Sequence, residues 1–446
     1  MKIQLSDHFT YRKLLRFTLP SIAMMIFTSI YGIVDGFFVS NYAGKTPFAA
    51  VNLIMPLLMI FATVGFMLGT GGTAIVSRTL GEGDRKRANE YFSLFVYLAF
   101  ALGTVIGALG FAFAEPLARL LGAEGELLEN CVLYARIILL ALPFYTLQLL
   151  FQSFFVTAEK PTLGLIVTIS SGMTNMILDY VLVMLLPQEY KLAGAAVATA
   201  LSQCVGGIFP LVYFFRKNSS LLRLGKTHFD ANATLKAFTN GFSEFMSNVS
   251  MSIVGMLYNA QLMKYAYSGE DGIAAYGVMM YVSMIFSGSF IGYSVGTAPV
   301  VGYHYGAHNH KELKSLLRKS TVILMSVAAA MTLAAELLAR PLSMIFVGYD
   351  KQLLDFTVHG FRYFSLSFLF MGMAIYGSGF FTALSDGLTS ALISGLRTLV
   401  FQIAAVLILP KLFGIDGIWI SIVAAELMAA LLTVLFLSLK RKKYHY

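Results

Sequence analysis

Charge is scarce in this chain. Asp, Glu, Lys and Arg together make up 12% of its 446 residues, about half the share of a soluble globular domain. That shortage argues against a water-soluble protein, whose helices need a polar face. Cysteine is nearly absent: Cys131 and Cys204 lie far apart without metal-ligand spacing. This argues against a disulfide framework or a thiolate metal site and leaves both as small apolar fillers. Missing too are a Ser/His/Asp set, a metal pair and a phosphate loop ending in Gly-Lys-Ser/Thr, so neither an enzyme nor an ATP-driven pump is expected. No cleavable leader is expected, because the apolar run from Phe17 to Val34 continues into a longer helix without a small-residue cleavage site.

What is abundant is apolar sequence. Hydrophobic residues are 57% of the chain, and windows without any charge recur: Phe92–Ala114 (23 residues), Ile137–Ala158 (22), Leu192–Phe215 (24) and Tyr363–Ser385 (23). About 20 such residues span the hydrocarbon core as a helix. The reading is an all-α integral membrane protein with twelve transmembrane helices. They are expected near 14–39, 48–77, 88–113, 127–155, 161–186, 192–215, 236–264, 272–303, 314–337, 353–383, 388–410 and 416–439. The second, eighth and tenth are long enough to tilt or bend.

Loop charge sets the expected orientation. With a cytoplasmic N-terminus, inward segments hold 22 of the 32 Lys and Arg, outward segments hold 7, and Arg136, Arg362 and Arg397 lie nearer helix interiors. This asymmetry predicts a multi-pass protein of the cell (plasma) membrane with both termini cytoplasmic. The net charge of +9 then faces anionic lipid, so the expected partners are the bilayer and small molecules, with no nucleic acid.

The chain also repeats itself. Gly71 to Lys86 resembles Gly296 to Lys311, Ala49-Ala50 matches Ala274-Ala275, and Glu115-Pro116-Leu117 matches Arg340-Pro341-Leu342, all at an offset of 225. Phe154-Phe155 matches Phe380-Phe381 at 226, and Gly194 matches Gly417 at 223. The expected organisation is an N-terminal six-helix lobe (1–215), a cytoplasmic linker (216–235) and a C-terminal six-helix lobe (236–446). Six spans per repeat is an even number, so the repeats run parallel about an axis along the membrane normal, with a cavity between the lobes.

Two acids break the symmetry. Asp35 and Asp179 sit inside apolar spans, where an ionisable group costs about 2.5–3.5 kcal/mol even on insertion scales. Their counterparts at offsets 225–226 are Ala260 or Gln261 for Asp35 and Ala405 for Asp179, and Asn175 maps to Phe401. Helical spacing stacks Asn175 on Asp179, Tyr31 on Asp35, Thr199 on Gln203 and Gln148 on Gln152, each pair at i and i+4. Four helices of one lobe thus present polar stripes. Such an oxygen-rich cluster can bind a proton or Na⁺; the alternative is a set of satisfied structural groups.

These residues carry a family resemblance. Val34-Asp35-Gly36-Phe37-Phe38-Val39-Ser40 with Pro20 before it, Ser77 to Asp84, Asn175-Met176-Ile177-Leu178-Asp179, and Gly194 to Thr199 resemble, in order, the motifs of the multidrug and toxic compound extrusion (MATE) family. The resemblance points to its DinF-like or MepA-like bacterial branch. It implies a secondary antiporter that exports organic, typically cationic and amphiphilic, compounds in exchange for H⁺ or Na⁺ by rocker-switch alternating access. It also implies ion coupling at Asp35, Asn175, Asp179 and Thr199, which are the residues that would hold Na⁺, and a hinge in the first helix at Pro20. No other cofactor is implied, and a monomer is expected. Candidate substrate contacts are Tyr31, Gln148, Gln152, Gln203, Glu244 and Glu426. The competing reading within the same superfamily is a flippase for lipid-linked oligosaccharides or cell-wall precursors; it expects a basic cavity, whereas the interior candidates here are acidic.

Overall fold

A computed structural model describes residues 3–266 and 269–446. In the first half, helices are α1 (Tyr11–Phe38), α2 (Lys45–Gly81), α3 (Arg85–Ala112), α4 (Ala114–Leu120), α5 (Gly125–Thr157), α6 (Pro161–Leu185) and α7 (Lys191–Phe215). The second half holds α8 (Ala231–Tyr265), α9 (Gly269–Gly306), α10 (His310–Val347), α11 (Lys351–Ser365), α12 (Phe368–Ala383), α13 (Gly387–Gly395), α14 (Gln402–Phe413) and α15 (Ile415–Tyr444). Two π-helical stretches, Val39–Ala43 and Leu396–Phe401, extend α1 and join α13 to α14.

Among the described residues, ten helices are long and apolar enough to cross a bilayer. The eleventh span is the pair α11 and α12, bent by 45°, which is the expected tenth span broken near its middle. The remaining expected span is α8. Its 35 residues are long enough, but Asn240, Ser243, Glu244, Ser247, Asn248 and Ser250 make it more polar than the others. It starts at Ala231, five residues before the expected boundary at 236, because the Asp230 side chain caps it by accepting from Ala233 N at 3.0 Å.

The repeat is visible in the backbone. Asp84 caps α3 through Arg87 N at 2.9 Å, and Asn309, 225 residues later, caps α10 through Glu312 N at 3.1 Å. The same relation governs how the halves meet: α1 packs on α9, α2 on α8, and α2 on α9. A Cβ on Gly81 would lie 2.0 Å from the Tyr303 carbonyl oxygen, and one on Gly306 would lie 2.1 Å from that of Arg78. Both members of this pair of contacts are 225 residues apart, so the two halves touch reciprocally, as across a two-fold axis. Small residues let the backbones come this close.

These contacts gather at one end of the bundle. Gly292 and Gly296 of α9 press on Ile22 and Thr18 of α1, whereas Gly277 of α9 and Gly32 and Gly36 of α1 have nothing within 4 Å of a Cβ position. The halves therefore close together at one end and part toward the other. The closed end carries both chain termini. Phe9 N donates to Glu312 Oε1 at 2.9 Å, and the His445 ring stands 5.1 Å from that of His310.

Candidate functional site

Asp35 lies on the parting half of α1, and Asn175, Asp179 and Thr199 lie on α6 and α7, which pack against α1 and each other. The side chains meet inside the first half. Thr199 Oγ1 donates to Asp35 Oδ1 at 3.4 Å, and Asn175 Nδ2 donates to Thr199 Oγ1 at 3.3 Å. Asp179 stands close enough to Asp35 to interact with it electrostatically. Asp179 and Asn175 are 0% and 1% exposed. Among the described residues no group donates a hydrogen bond to either oxygen of Asp179 or to the Asn175 amide oxygen. Each such buried oxygen costs about 1–3 kcal/mol. Two ionised carboxylates about 4 Å apart would also repel by about 4 kcal/mol at an effective dielectric constant of 20. A proton or a small cation relieves both costs, and the donor set, carboxylate and amide oxygens with a hydroxyl, suits a hard cation.

The remaining candidates of the first half surround this cluster. Tyr31, one turn before Asp35, packs its ring where Gly172 of α6 leaves room. Gln148 donates to Ser171 Oγ at 3.3 Å while its own amide oxygen is buried without a partner, as is that of Gln203. Gln152 is buried one turn along α5. Pro20 lies within α1, which runs unbroken across it.

Glu244 and Glu426 lie elsewhere. They line a cavity of about 220 Å³ walled mainly by the second half, with Thr70, Thr73 and Ser153 contributed by the first. Here Arg397, placed by the π-helical stretch between α13 and α14, grips Glu426 of α15 through Nε, at 3.0 and 2.9 Å to the two carboxylate oxygens. The sequence places Arg397 nearer a helix interior, where snorkelling or pairing is its expected use, but does not name Glu426 as the partner. The cavity's serines also drew no notice, although Ser247 with Ser250 and Ser283 with Ser287 recur at helical spacing, three and four residues apart. Tyr134 was missed as well: its hydroxyl is fully buried near Asp35 and Thr199.

A bundle of repeated helices, parting at one end over buried polar groups, defines a membrane transporter architecture. The family model described as MatE matches residues 20–181 and 245–408, and the chain belongs to the MATE family of transporters. A relative, the multidrug export protein MepA of Staphylococcus haemolyticus (strain JCSC1435), is 27% identical over 425 residues, covering 95% of this chain and 92% of the relative. Among solved structures, a MATE protein in complex with MaL6 superposes with a TM-score of 0.92 at 22% identity, covering 98% of both chains. An outward-facing multidrug resistance MATE transporter of the MOP superfamily superposes with a TM-score of 0.91, also at 22% identity, covering 98% of this chain and 97% of that one.

Proposed function

We propose that this protein is a secondary active antiporter that exports organic, typically cationic amphiphilic, compounds in exchange for H⁺ or Na⁺. Asp35, Asn175, Asp179 and Thr199 form the coupling site. The observation that carries this reading is the pair of adjacent buried carboxylates: among the described residues neither oxygen of Asp179 has a hydrogen-bond donor, and no Lys or Arg pairs with either acid. An ion is the missing partner, and an intramembrane acid is a functional group by default. The relatives named as multidrug exporters support the cargo class.

The positive-inside asymmetry places the closed, terminus-bearing end in the cytoplasm, so the arrangement described here is the outward-open one. Ion uptake at Asp35 and Asp179 removes the carboxylate repulsion and lets α1 and α6 repack. Pro20 lacks the N–H that would bond the preceding turn, so α1 can hinge there. The change releases cargo outward, and the lobes then part at the cytoplasmic end to release the ion.

The test is uptake of a fluorescent organic cation into proteoliposomes with an imposed pH or Na⁺ gradient. One gradient should drive transport, and Asp35→Asn or Asp179→Asn should abolish it. Gradient-driven transport persisting in both variants would move coupling to Glu244. Transport of lipid-linked sugar without dye transport would replace the reading with a flippase.

A further inference from the structure

We propose that the second-half cavity selects organic zwitterions, with Glu244 receiving the cationic group and Arg397 the carboxylate. This inference rests on the export reading above and specifies its cargo.

The cavity carries two charged features. Glu244 of α8 lines it, and among the described residues its carboxylate has no hydrogen-bond or ion-pair partner. It faces a cavity whose remaining wall is mostly serine hydroxyl and apolar side chain, including Met251, Met280 and Met284. An organic cation entering this space meets a carboxyl group with no protein partner among the described residues and adaptable thioether surface.

Arg397 and Glu426 form the other charged feature. Glu426 is 1% exposed and Arg397 15%. Both carboxylate oxygens are taken by the same nitrogen, Nε. A guanidinium carries five N–H donors in a planar fork, so this contact uses one edge. Among the described residues the two terminal nitrogens donate to no protein group, and Arg397 lines the cavity. Four donors are therefore available on a side chain held rigidly by its buried partner. A planar donor pair of this kind matches a carboxylate bidentately.

Glu426 also tempers the site. It cancels the Arg397 charge, so the cavity as a whole favours a cation, and an anion gains only where it can accept from the free edge. A ligand with both groups satisfies both features, whereas a simple cation leaves the guanidinium edge without an acceptor. The repeat supplies no second copy: the first-half counterparts of Arg397 and Glu426 at offset 225 are Gly172 and Leu201.

Rhodamine 110, with a free carboxylate, and rhodamine 123, its methyl ester, share one cationic ring system and test this directly. Binding to the purified full-length protein is read by fluorescence polarisation, and gradient-driven uptake of each dye is read in proteoliposomes. The wild-type protein should bind rhodamine 110 at least tenfold more tightly than rhodamine 123. In Arg397→Gln/Glu426→Gln, which removes the pair without leaving a lone buried charge, that ratio should fall tenfold. Glu244→Gln should weaken both dyes together.

The wild-type ratio needs no variant to fold. Equal affinities, or preference for the ester, overturn the proposal while gradient-driven uptake of rhodamine 123 leaves the export reading standing. A preference that survives in the folded double variant assigns Arg397 a purely structural role and also overturns the proposal. Neither binding nor uptake of either dye by the wild type overturns both readings.

Discussion

Both halves of the repeat bury acids, but in opposite ways. In the first half Asp35 and Asp179 face each other, and among the described residues no group donates a hydrogen bond to either carboxylate oxygen of Asp179. In the second, Glu426 is equally buried yet held by Arg397 at 2.9 Å. Neither arrangement has a counterpart across the repeat. The common scaffold supplies lobes that meet reciprocally, and each lobe carries a different polar insertion. On the reading proposed above, an acid left without a partner is a site that takes an ion, whereas an acid already paired is a fixed element that can present its partner's free edge.

The largest expected effect separates these two kinds of acid by stability. Arg397→Leu leaves the Glu426 charge buried alone, and should cost about 3–5 kcal/mol. Asp179→Asn removes a charge that has no partner, and should leave the apo protein equally or more stable. Thermal unfolding of purified protein compares the two. A stable Arg397→Leu, or an Asp179→Asn that unfolds several degrees early, would erase the distinction.

Asp35→Asn and Asp179→Asn should each lower gradient-driven uptake by at least a hundredfold, about 2.7 kcal/mol on the tenfold-per-1.36 scale. Their losses should not add, because the two carboxylates act on one ion. Additive losses measured in the double variant would split the pair into separate sites.

A smaller effect probes what the halves share. Gly81→Ala and Gly306→Ala each press a methyl group on the other half's carbonyl, at 2.0 and 2.1 Å, and should each cost about 1–3 kcal/mol. Reciprocity requires the two costs to agree within about 0.5 kcal/mol. Denaturation of the two variants side by side reads this, and a wide gap would show that the contacts are not equivalent.

Much of this architecture was legible because bilayer helices are written in long charge-free windows, and because the offset of 225 survives at glycines and caps such as Gly81, Gly306, Asp84 and Asn309. The Asp35, Asn175, Asp179 and Thr199 cluster could be drawn from i, i+4 spacing and from its absence in the second half. Arg397 with Glu426 could not. They are 29 residues apart on different helices, and a π-helical stretch between them shifts the 3.6-residue phase on which spacing arguments depend. The length of the tenth span allowed a bend, but its place between α11 and α12 was silent, since Tyr363–Ser385 reads as one uninterrupted apolar window. Serines escaped notice because a hydroxyl is cheap to bury once it bonds its own helix backbone, as Ser247 does with the Ser243 carbonyl at 2.9 Å.

The smallest effect concerns equivalent turns at the closed end. Glu159 and Ser385, 226 residues apart, both adopt left-handed backbone, at φ 59° and 60°. Each turn region anchors one chain terminus through an acid. Glu159 Oε1 accepts from Leu5 N at 2.8 Å, and Asp386 Oδ2 accepts from the Tyr444 hydroxyl at 2.8 Å with Lys440 at 3.4 Å. Burial pushes the Asp386 carboxyl up, but hydrogen bonds from Tyr444 and Thr389 and the Lys440 charge more than offset this and hold it below its ordinary value of 3.8. A carboxyl depressed by folding contributes stability that is complete above its unfolded value, about 3.9, and is lost as pH falls through the folded one. The C-terminal anchor should therefore be intact at neutral pH and loosen only in strong acid. Asp386→Asn should weaken it at neutral pH by about 1 kcal/mol, the scale of one hydrogen bond, and the difference from the wild type should vanish in strong acid. Backbone amide exchange over residues 437–446, corrected for the intrinsic pH dependence, reads the anchor directly. Unchanged protection in Asp386→Asn at neutral pH would assign the C-terminal anchor to the Tyr444 and Tyr446 ring contacts instead, and the two turns would then hold their termini by different means.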